Sequence, residues 1–229
     1  MDIYLKLAHI ENLNYEFDKS LNMKHEWRKK EKQVYIPKTK PEIINIPEYQ
    51  FITIKGQGNP NSDFFTACIG VLYSLSYAIK MNLKKMEIRP TGYMDWTVYP
   101  LEGIWDITDE AKQTFNGQIN KDDLVFNLMI RQPDFISDEF FAEMLEFTKK
   151  KKPHPLLDQV KFEKITDGNC IQMMHIGSYD DESASFNIME EFATHQSIAR
   201  KSKVHREIYL SDFRKVPVEK LKTVLRFQI

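Results

Sequence analysis

Apolar and polar residues alternate along several short stretches of the chain, and this period of two predicts β-strands. In the stretch HREIYLS (205–211), His205, Glu207 and Tyr209 point to one side, while Arg206 and the apolar residues after it point to the other. The same signal, with turn residues around it, predicts further strands at 48–56, 85–92, 95–107, 122–133, 159–166, 169–177 and 223–229.

Apolar residues recur at helical spacing in three other segments, residues 63–82, 136–152 and 178–201. Ser62 is a suitable N-cap for the first helix. The second has acidic residues early and lysines late, an order that suits the helix dipole. Ser178, with Asp181 three residues on, resembles a capping box at the start of the third.

The predicted elements repeat, because strand, helix, strand, strand occurs twice. We place the two halves at about 47–131 and 168–229, joined by a helical connector at about 132–167 and preceded by an N-terminal arm, 1–46. This order predicts an α+β fold in which two units related by a pseudo-twofold axis pack helices on one side of their strands. The groove between such units is a favoured place for a ligand.

Composition and charge indicate which classes of binding partner the chain can have. The 229 residues are 42% hydrophobic and 28% charged with a net charge of -1, so nothing attracts the whole chain to nucleic acid or to an anionic membrane. The charge run KHEWRKKEKQ (24–33) has Glu26 and Glu31 within it, which favours a solvated helix or arm over a nucleic-acid patch. No signal peptide or membrane-spanning run is recognised, and the separated Cys68 and Cys170 favour a reducing compartment, so we expect a cytoplasmic protein.

Sequence motifs for metal or cofactor chemistry are not found. The six histidines show no HxxxH or HExxH spacing, and no phosphate loop, dinucleotide fingerprint or GxSxG elbow occurs. We therefore expect no metal and no cofactor. What remains is acid–base chemistry on the strand face of His205, Glu207 and Tyr209. A carboxylate facing a pocket has its pKa raised by desolvation and becomes a usable base; the alternative is a strand face exposed to solvent.

Two other stretches are candidates. Trp96, Tyr99 and Trp105 surround Glu102 in the sequence, which suits a flat, weakly polar or cationic ligand, although ordinary core packing explains the same aromatics. Tyr179 and Glu182 lie at the start of the third helix. Glu182 either belongs to a functional site or only interacts favourably with the positive end of the helix dipole.

Five segments together resemble the GyrI-like small-molecule-binding domain, in its stand-alone branch, over residues 47–229. They are VYPLEGIW (98–105), IRQPDF (130–135), HIGSYDDE (175–182), VHREIYLSD (204–212) and KLKTVLRFQI (220–229). The resemblance implies the GyrI-like or SOUL-type fold of two strand-helix-strand-strand units, with an aromatic cleft that has an acidic residue, here Glu207, at its floor. Many relatives have a second His where this chain has Arg206. Residues 1–46 are too short for the DNA-binding module of the family's regulators.

Some stand-alone relatives are implicated as hydrolases that open the cyclopropane of duocarmycin-like, DNA-alkylating compounds. The resemblance implies this activity here, with a hydrophobic, aromatic or cationic small molecule as partner and neither nucleic acid nor membrane. The implied catalytic residues are Glu207, Tyr209 and Glu182, and the implied ligand-binding residues are Trp96, Tyr99, Glu102, Trp105, Tyr179 and His205. A non-catalytic drug-binding, sequestering or sensor protein, or one that modulates gyrase, stays open as the alternative.

Overall fold

The computed structural model describes residues 24–212 and 214–229. Six strands lie in this part of the chain: β1 Glu42–Gln57, β2 Leu101–Ile107, β3 Leu124–Gln132, β4 Lys161–Ile176, β5 His205–Tyr209 and β6 Lys222–Gln228. The helices are α1 Trp27–Lys30, α2 Lys32–Tyr35, α3 Asp63–Lys85, α4 Asp109–Gln113, α5 Asp138–Lys151 and α6 Glu182–His195. Short 3₁₀ turns are Lys121–Asp123, Pro155–Gln159, Tyr179–Asp181 and Val218–Lys220.

The strands form one closed antiparallel barrel in the order β1-β3-β2-β5-β6-β4. Exchanging β1, β2 and β3 for β4, β5 and β6 gives the same order read in reverse, so all strand pairings are kept. This is the pseudo-twofold relation of two strand-helix-strand-strand units. The predicted α+β fold class is therefore confirmed. The two units meet where β2 pairs with β5 and where β1 pairs with β4.

The long helices α3 and α6 both pack on the outside of the barrel. The buried stripe of α3 includes Cys68, Leu72, Leu75 and Ile79, none of which is exposed, and the Ser62 hydroxyl caps its first turn by accepting from the Phe65 amide at 3.2 Å. By length and composition alone, α3 is long and apolar enough to cross a membrane. Its buried residues, however, belong to the hydrophobic core, as in the core helix of a folded domain. The shorter α6 buries Met189 and Ala193, which form a second apolar cluster with side chains of β4 and β6.

Charged side chains lie inside the barrel. Arg206 donates to both oxygens of Asp167, at 2.7 and 2.8 Å, and to Glu102 at 2.9 Å. Arg226 adds a further contact to Asp167. Burial acts to raise the pKa of Asp167, but Arg206 and Arg226 hold it below its ordinary value. A paired and hydrogen-bonded interior of this kind is tolerable because each charge has a partner.

Residues 24–38 close one end of this interior. Tyr35 is fully buried against Glu102, and Trp27 is buried with its indole N–H donating to the Val98 carbonyl at 3.0 Å. Glu31 accepts from Arg131 at 2.5 Å and from Tyr99 at 2.7 Å. The charge run 24–33 thus places Trp27 and Glu31 against the barrel instead of presenting a uniformly solvated helix.

Three strand and helix predictions are wrong. Residues 86–92 form a loop, which Pro90 and the left-handed Gly92 (φ 80°) favour. The stretches 159–166 and 169–177 belong to one strand, β4, which passes through Gly168 at φ 68° while staying paired with β1. The third helix begins at Glu182, since Ser178 caps the preceding 3₁₀ turn instead, and it ends at His195.

Candidate functional site

One face of β5 and its neighbours forms the centre of the candidate site. Antiparallel pairing places Leu101, Tyr209, Thr223 and His175 in a row across β2, β5, β6 and β4. In the next row, Gly103 lies opposite Glu207. Cross-strand partners share a face of the sheet, and this face is the outer one, towards α3 and α6. The predicted common side of His205, Glu207 and Tyr209 is therefore present and covered by helices.

A directed chain of hydrogen bonds ends at Glu207. The indole N–H of Trp105 donates to the Tyr209 hydroxyl at 2.8 Å, and that hydroxyl donates to Glu207 Oε2 at 2.7 Å. The direction is fixed because an indole N–H has no acceptor atom, so the Tyr209 proton must point to the carboxylate. His205 Nε2 lies 3.1 Å from Glu207 Oε1. Glu207 thus has a partner on each oxygen.

Gly103 makes room for this chain. A Cβ atom built at Gly103 would lie 2.7 Å from Trp105 Nε1, closer than side chains tolerate. On its other side the Trp105 ring packs on Phe65 of α3 and on Phe126, with centroid distances of 5.7 and 5.6 Å. The position opposite Glu207 is therefore a glycine because a larger residue would displace the indole of Trp105.

Glu182 brings a second carboxyl group to the same place from the start of α6. Its pKa is raised well above the ordinary value, first by burial and then by the charge of Glu207. Its Oε1 atom is buried and has no hydrogen-bond partner among the described residues. Two close carboxyl groups cannot easily both ionise, so the pair holds one proton, and Glu182 is the member whose surroundings favour the neutral form.

Aromatic side chains line the approach to the pair. Tyr179 is 37% exposed and meets the Tyr209 ring edge-on at 5.9 Å. Burial raises the pKa of Tyr179 to about 12, so its hydroxyl is a hydrogen-bond donor at neutral pH. Phe186 of α6 meets the His205 ring at 4.7 Å. Beside Tyr179, Asp180 pairs at the surface with Lys121, 2.8 Å away in the 3₁₀ turn that precedes β3.

The start of α6 is fastened to the sheet by His175. Its Nδ1 lies 2.9 Å from the Ser185 hydroxyl and its Nε2 lies 2.9 Å from the Ser178 carbonyl. Because a carbonyl only accepts, Nε2 carries a proton and donates to it. Both ring nitrogens are occupied, so His175 positions the turn that carries Tyr179 and Glu182.

The structure does not bring three of the predicted residues to this site. Glu102 alternates to the barrel interior, where burial raises its pKa and Arg206 is its partner. Tyr99 donates to Glu31 at the closed end of the barrel. Trp96 is buried beneath Lys80, whose ammonium lies 4.9 Å from the ring centroid. The cluster is thus built from Trp105, Tyr179, Glu182, His205, Glu207 and Tyr209.

Sequence reasoning missed Thr223, His175 and Ser185. The strand register signals Thr223 and His175, because Thr223 pairs with both Tyr209 and His175. Ser185 lies on α6, outside the sheet, and has no such signal. Within the described ranges no group of three His, Cys, Asp or Glu side chains is arranged to hold a metal ion.

Comparison with known proteins identifies the family. The model of the GyrI-like small molecule binding domain matches residues 39–229, so this chain belongs to the GyrI-like family, as its motifs indicate, and contains a small-molecule-binding domain. The crystal structure of a hydrolase from Listeria innocua is 35% identical, with a TM-score of 0.78 over 89% of this chain and 98% of that one.

Two further structures place the fold. A second hydrolase structure from Listeria innocua is 34% identical, with a TM-score of 0.80 over 90% of this chain and 98% of the other. The EcmrR C-terminal domain shares the fold at 12% identity, with a TM-score of 0.51 over 85% of this chain and 97% of that domain. Among curated proteins, none matches this chain.

Proposed function

We propose that this chain is a cytoplasmic hydrolase that binds flat, hydrophobic compounds and opens the cyclopropane ring of duocarmycin-like DNA-alkylating agents, which protects the cell. The observation that carries the proposal is the Glu182–Glu207 carboxyl pair, which shares one face with Tyr209 and the approach with Tyr179. Two structural relatives described as hydrolases, at 34 and 35% identity, support the reaction class.

The carboxyl pair suits addition of water to a strained ring. Such a substrate has a cyclopropane conjugated to a dienone. Water attacks a ring carbon, an O–C bond forms, the C–C bond breaks, and its electron pair moves to the dienone carbonyl oxygen to give a phenolate. The water proton goes to the carboxyl pair, and the phenolate takes a proton from solvent. General acid–base help of this kind contributes about 10² to 10⁴-fold.

The aromatic residues have separate roles in this proposal. Tyr209 is committed to Glu207 and keeps that carboxylate in place. Tyr179, a residue that is 37% exposed, stacks on the planar ligand or donates its hydroxyl to the carbonyl oxygen where negative charge develops. Trp105 is buried and acts through Tyr209. A cationic substituent on the ligand is attracted by the one negative charge of the carboxyl pair.

The test is a product assay with Glu207→Gln. We expect the purified protein to convert an excess of a duocarmycin-type compound to its water adduct, measured by chromatography and mass spectrometry, and Glu207→Gln to lose about 10² to 10⁴-fold in rate. The matched control is Glu191→Gln, the same change at an exposed residue of α6.

The outcome separates two functions. Loss of turnover in Glu207→Gln and not in Glu191→Gln supports the hydrolase. Stoichiometric binding without adduct, in the unaltered protein, replaces it with the sequestering or sensor function. Full turnover in Glu207→Gln contradicts the role of Glu207 while leaving the reaction itself intact.

A further inference from the structure

Thr223 is a buried hydroxyl at the centre of the outer face that no element of the proposed mechanism has used. It lies in β6 between Tyr209 of β5 and His175 of β4, and it is fully buried. Its Oγ1 atom has no hydrogen-bond partner in the described part of the chain. Buried hydroxyls are rarely left without a partner, so this one needs an explanation.

The neighbours of Thr223 do not satisfy it because their own polar atoms are engaged. Tyr209 accepts from Trp105 and donates to Glu207. His175 uses both ring nitrogens for Ser185 and Ser178. At the same place, Glu182 Oε1 is also buried and without a partner among the described residues. The Thr223 hydroxyl lies beside Glu182, and as a hydrogen-bond donor it acts to lower the pKa of that carboxyl, against the larger effects of burial and of the Glu207 charge.

We propose that the Thr223 hydroxyl and Glu182 Oε1 together hold the water molecule that attacks the substrate, which makes Thr223 a catalytic residue. This inference rests on the proposed hydrolase function. Thr223 donates to the water oxygen, and the water donates one proton to Glu182 Oε1. One lone pair of the water oxygen then stays free to form the new O–C bond. As that bond forms and the cyclopropane C–C bond breaks, the water proton passes to the Glu182–Glu207 pair.

The test compares Thr223→Val, Thr223→Ser and the control Thr148→Val. Valine keeps the shape of threonine without its hydroxyl, and serine keeps the hydroxyl without the methyl group. Thr148 is likewise buried, but it lies on α5 and donates to the Met144 carbonyl at 2.7 Å. With a duocarmycin-type compound, we expect Thr223→Val to lower kcat about 10²-fold with KM nearly unchanged. Thr223→Ser and Thr148→Val are expected to keep kcat within a few-fold of the unaltered protein.

A second measurement does not depend on turnover. Titration of ¹³C-labelled Glu side chains by NMR is expected to show a higher pKa for Glu182 in Thr223→Val, because the opposing hydroxyl is gone, and a nearly unchanged pKa in Thr223→Ser. If the unaltered protein makes no adduct, the hydrolase proposal fails. An unchanged Glu182 titration in Thr223→Val then overturns the Thr223–Glu182 contact separately.

Two results decide the inference itself. Full kcat in Thr223→Val, in a protein that makes the adduct, overturns the assignment of Thr223. Loss of kcat that serine restores supports it. If Thr223→Val does not fold, Thr223→Ala supplies the same comparison, because it also lacks the hydroxyl and needs no more space.

Discussion

At the scale of single residues, the protonation of Glu182 links the site to stability. The ordinary pKa of a glutamate is 4.5, and in the folded protein burial and the charge of Glu207 raise that of Glu182 well above it. Between these two values the folded state keeps a proton that the unfolded state has released. Stability therefore falls as pH rises through this window.

The isosteric, uncharged variant Glu182→Gln removes this dependence. We expect it to gain stability relative to the unaltered protein as pH rises above about 4.5, by about 1.4 kcal/mol per pH unit until the folded pKa is passed. Urea unfolding at a series of pH values measures the difference. Glu191→Gln, at an exposed position of the same helix, is the control and is expected to show no such trend. A constant difference across pH for Glu182→Gln would contradict the raised pKa.

The proton of Tyr209 shows how a neighbour decides a residue's role. The sequence predicts Tyr209 as a catalytic hydroxyl because it shares a face with Glu207. Trp105, two residues beyond Gly103, directs that hydroxyl to Glu207. In our proposal Tyr209 therefore positions the carboxylate, and Tyr179 is the hydroxyl that faces the ligand.

At the scale of elements, the segment 24–38 is built into the barrel. Trp27 is 3% exposed and meets the Tyr35 ring at 5.2 Å, and Arg28 donates to the Leu210 carbonyl just after β5. Arg226 and Gln172 donate from the barrel to the Val34 and Gln33 carbonyls. The segment therefore supplies hydrogen-bond acceptors to polar side chains of the barrel, one of them charged.

We expect Trp27→Ala to cost about 3–5 kcal/mol of unfolding free energy, since a large buried side chain is lost and a cavity remains. Tyr77→Ala is the control, because it removes the aromatic ring of a residue that is 53% exposed. Denaturant unfolding of both variants gives the comparison. If Trp27→Ala is as harmless as Tyr77→Ala, the segment is a loosely attached arm.

Elements with a strong local pattern were predictable, and those that depend on distant partners were not. The alternation in 205–211 correctly gives the common face of His205, Glu207 and Tyr209, and helical spacing gives α3. The stretch Thr166-Asp167-Gly168 suggests a break between strands, because a charge and a glycine are unfavourable in a strand interior. In the barrel, Arg206 and Arg226 arrive from β5 and β6 to pair with Asp167, and the strand continues.

Dependence on distant partners also explains why some predicted site residues lie away from the cluster around Glu207. Trp96, Tyr99 and Glu102 are close in sequence, but the first two precede β2 and Glu102 alternates inward. Trp105 alternates outward to Tyr209. Which side of the sheet becomes the interior depends on barrel closure, and local periodicity does not contain that information.

At the scale of the whole molecule, the barrel wall separates two polar systems. The inner face holds the Arg206–Asp167–Glu102 network, and the outer face holds the Glu182–Glu207 pair. Adjacent residues of β5 lie on opposite faces of the barrel wall, since Arg206 points to the interior and Glu207 to the outer face. Arg206, where the resemblance leads us to expect a second His, is therefore a stability residue in this protein and touches neither carboxyl group of the site.

Changing Arg206 to His tests this separation. The shorter imidazole cannot reproduce the paired hydrogen bonds to Asp167 or the ion pair with Glu102, and Asp167 keeps only the longer contact with Arg226, so we expect a loss of about 3–5 kcal/mol in unfolding free energy. Arg214→His is the matched control, because Arg214 makes the same two-pronged contact to Asp212 at the surface and its loss is expected to matter little. Below the unfolding temperature of the variant, the adduct-forming activity proposed for the outer face is expected to stay unchanged in Arg206→His. A variant that keeps its stability would show that the inner network is not needed, and one that stays folded but loses activity would show that the two faces of the wall are coupled.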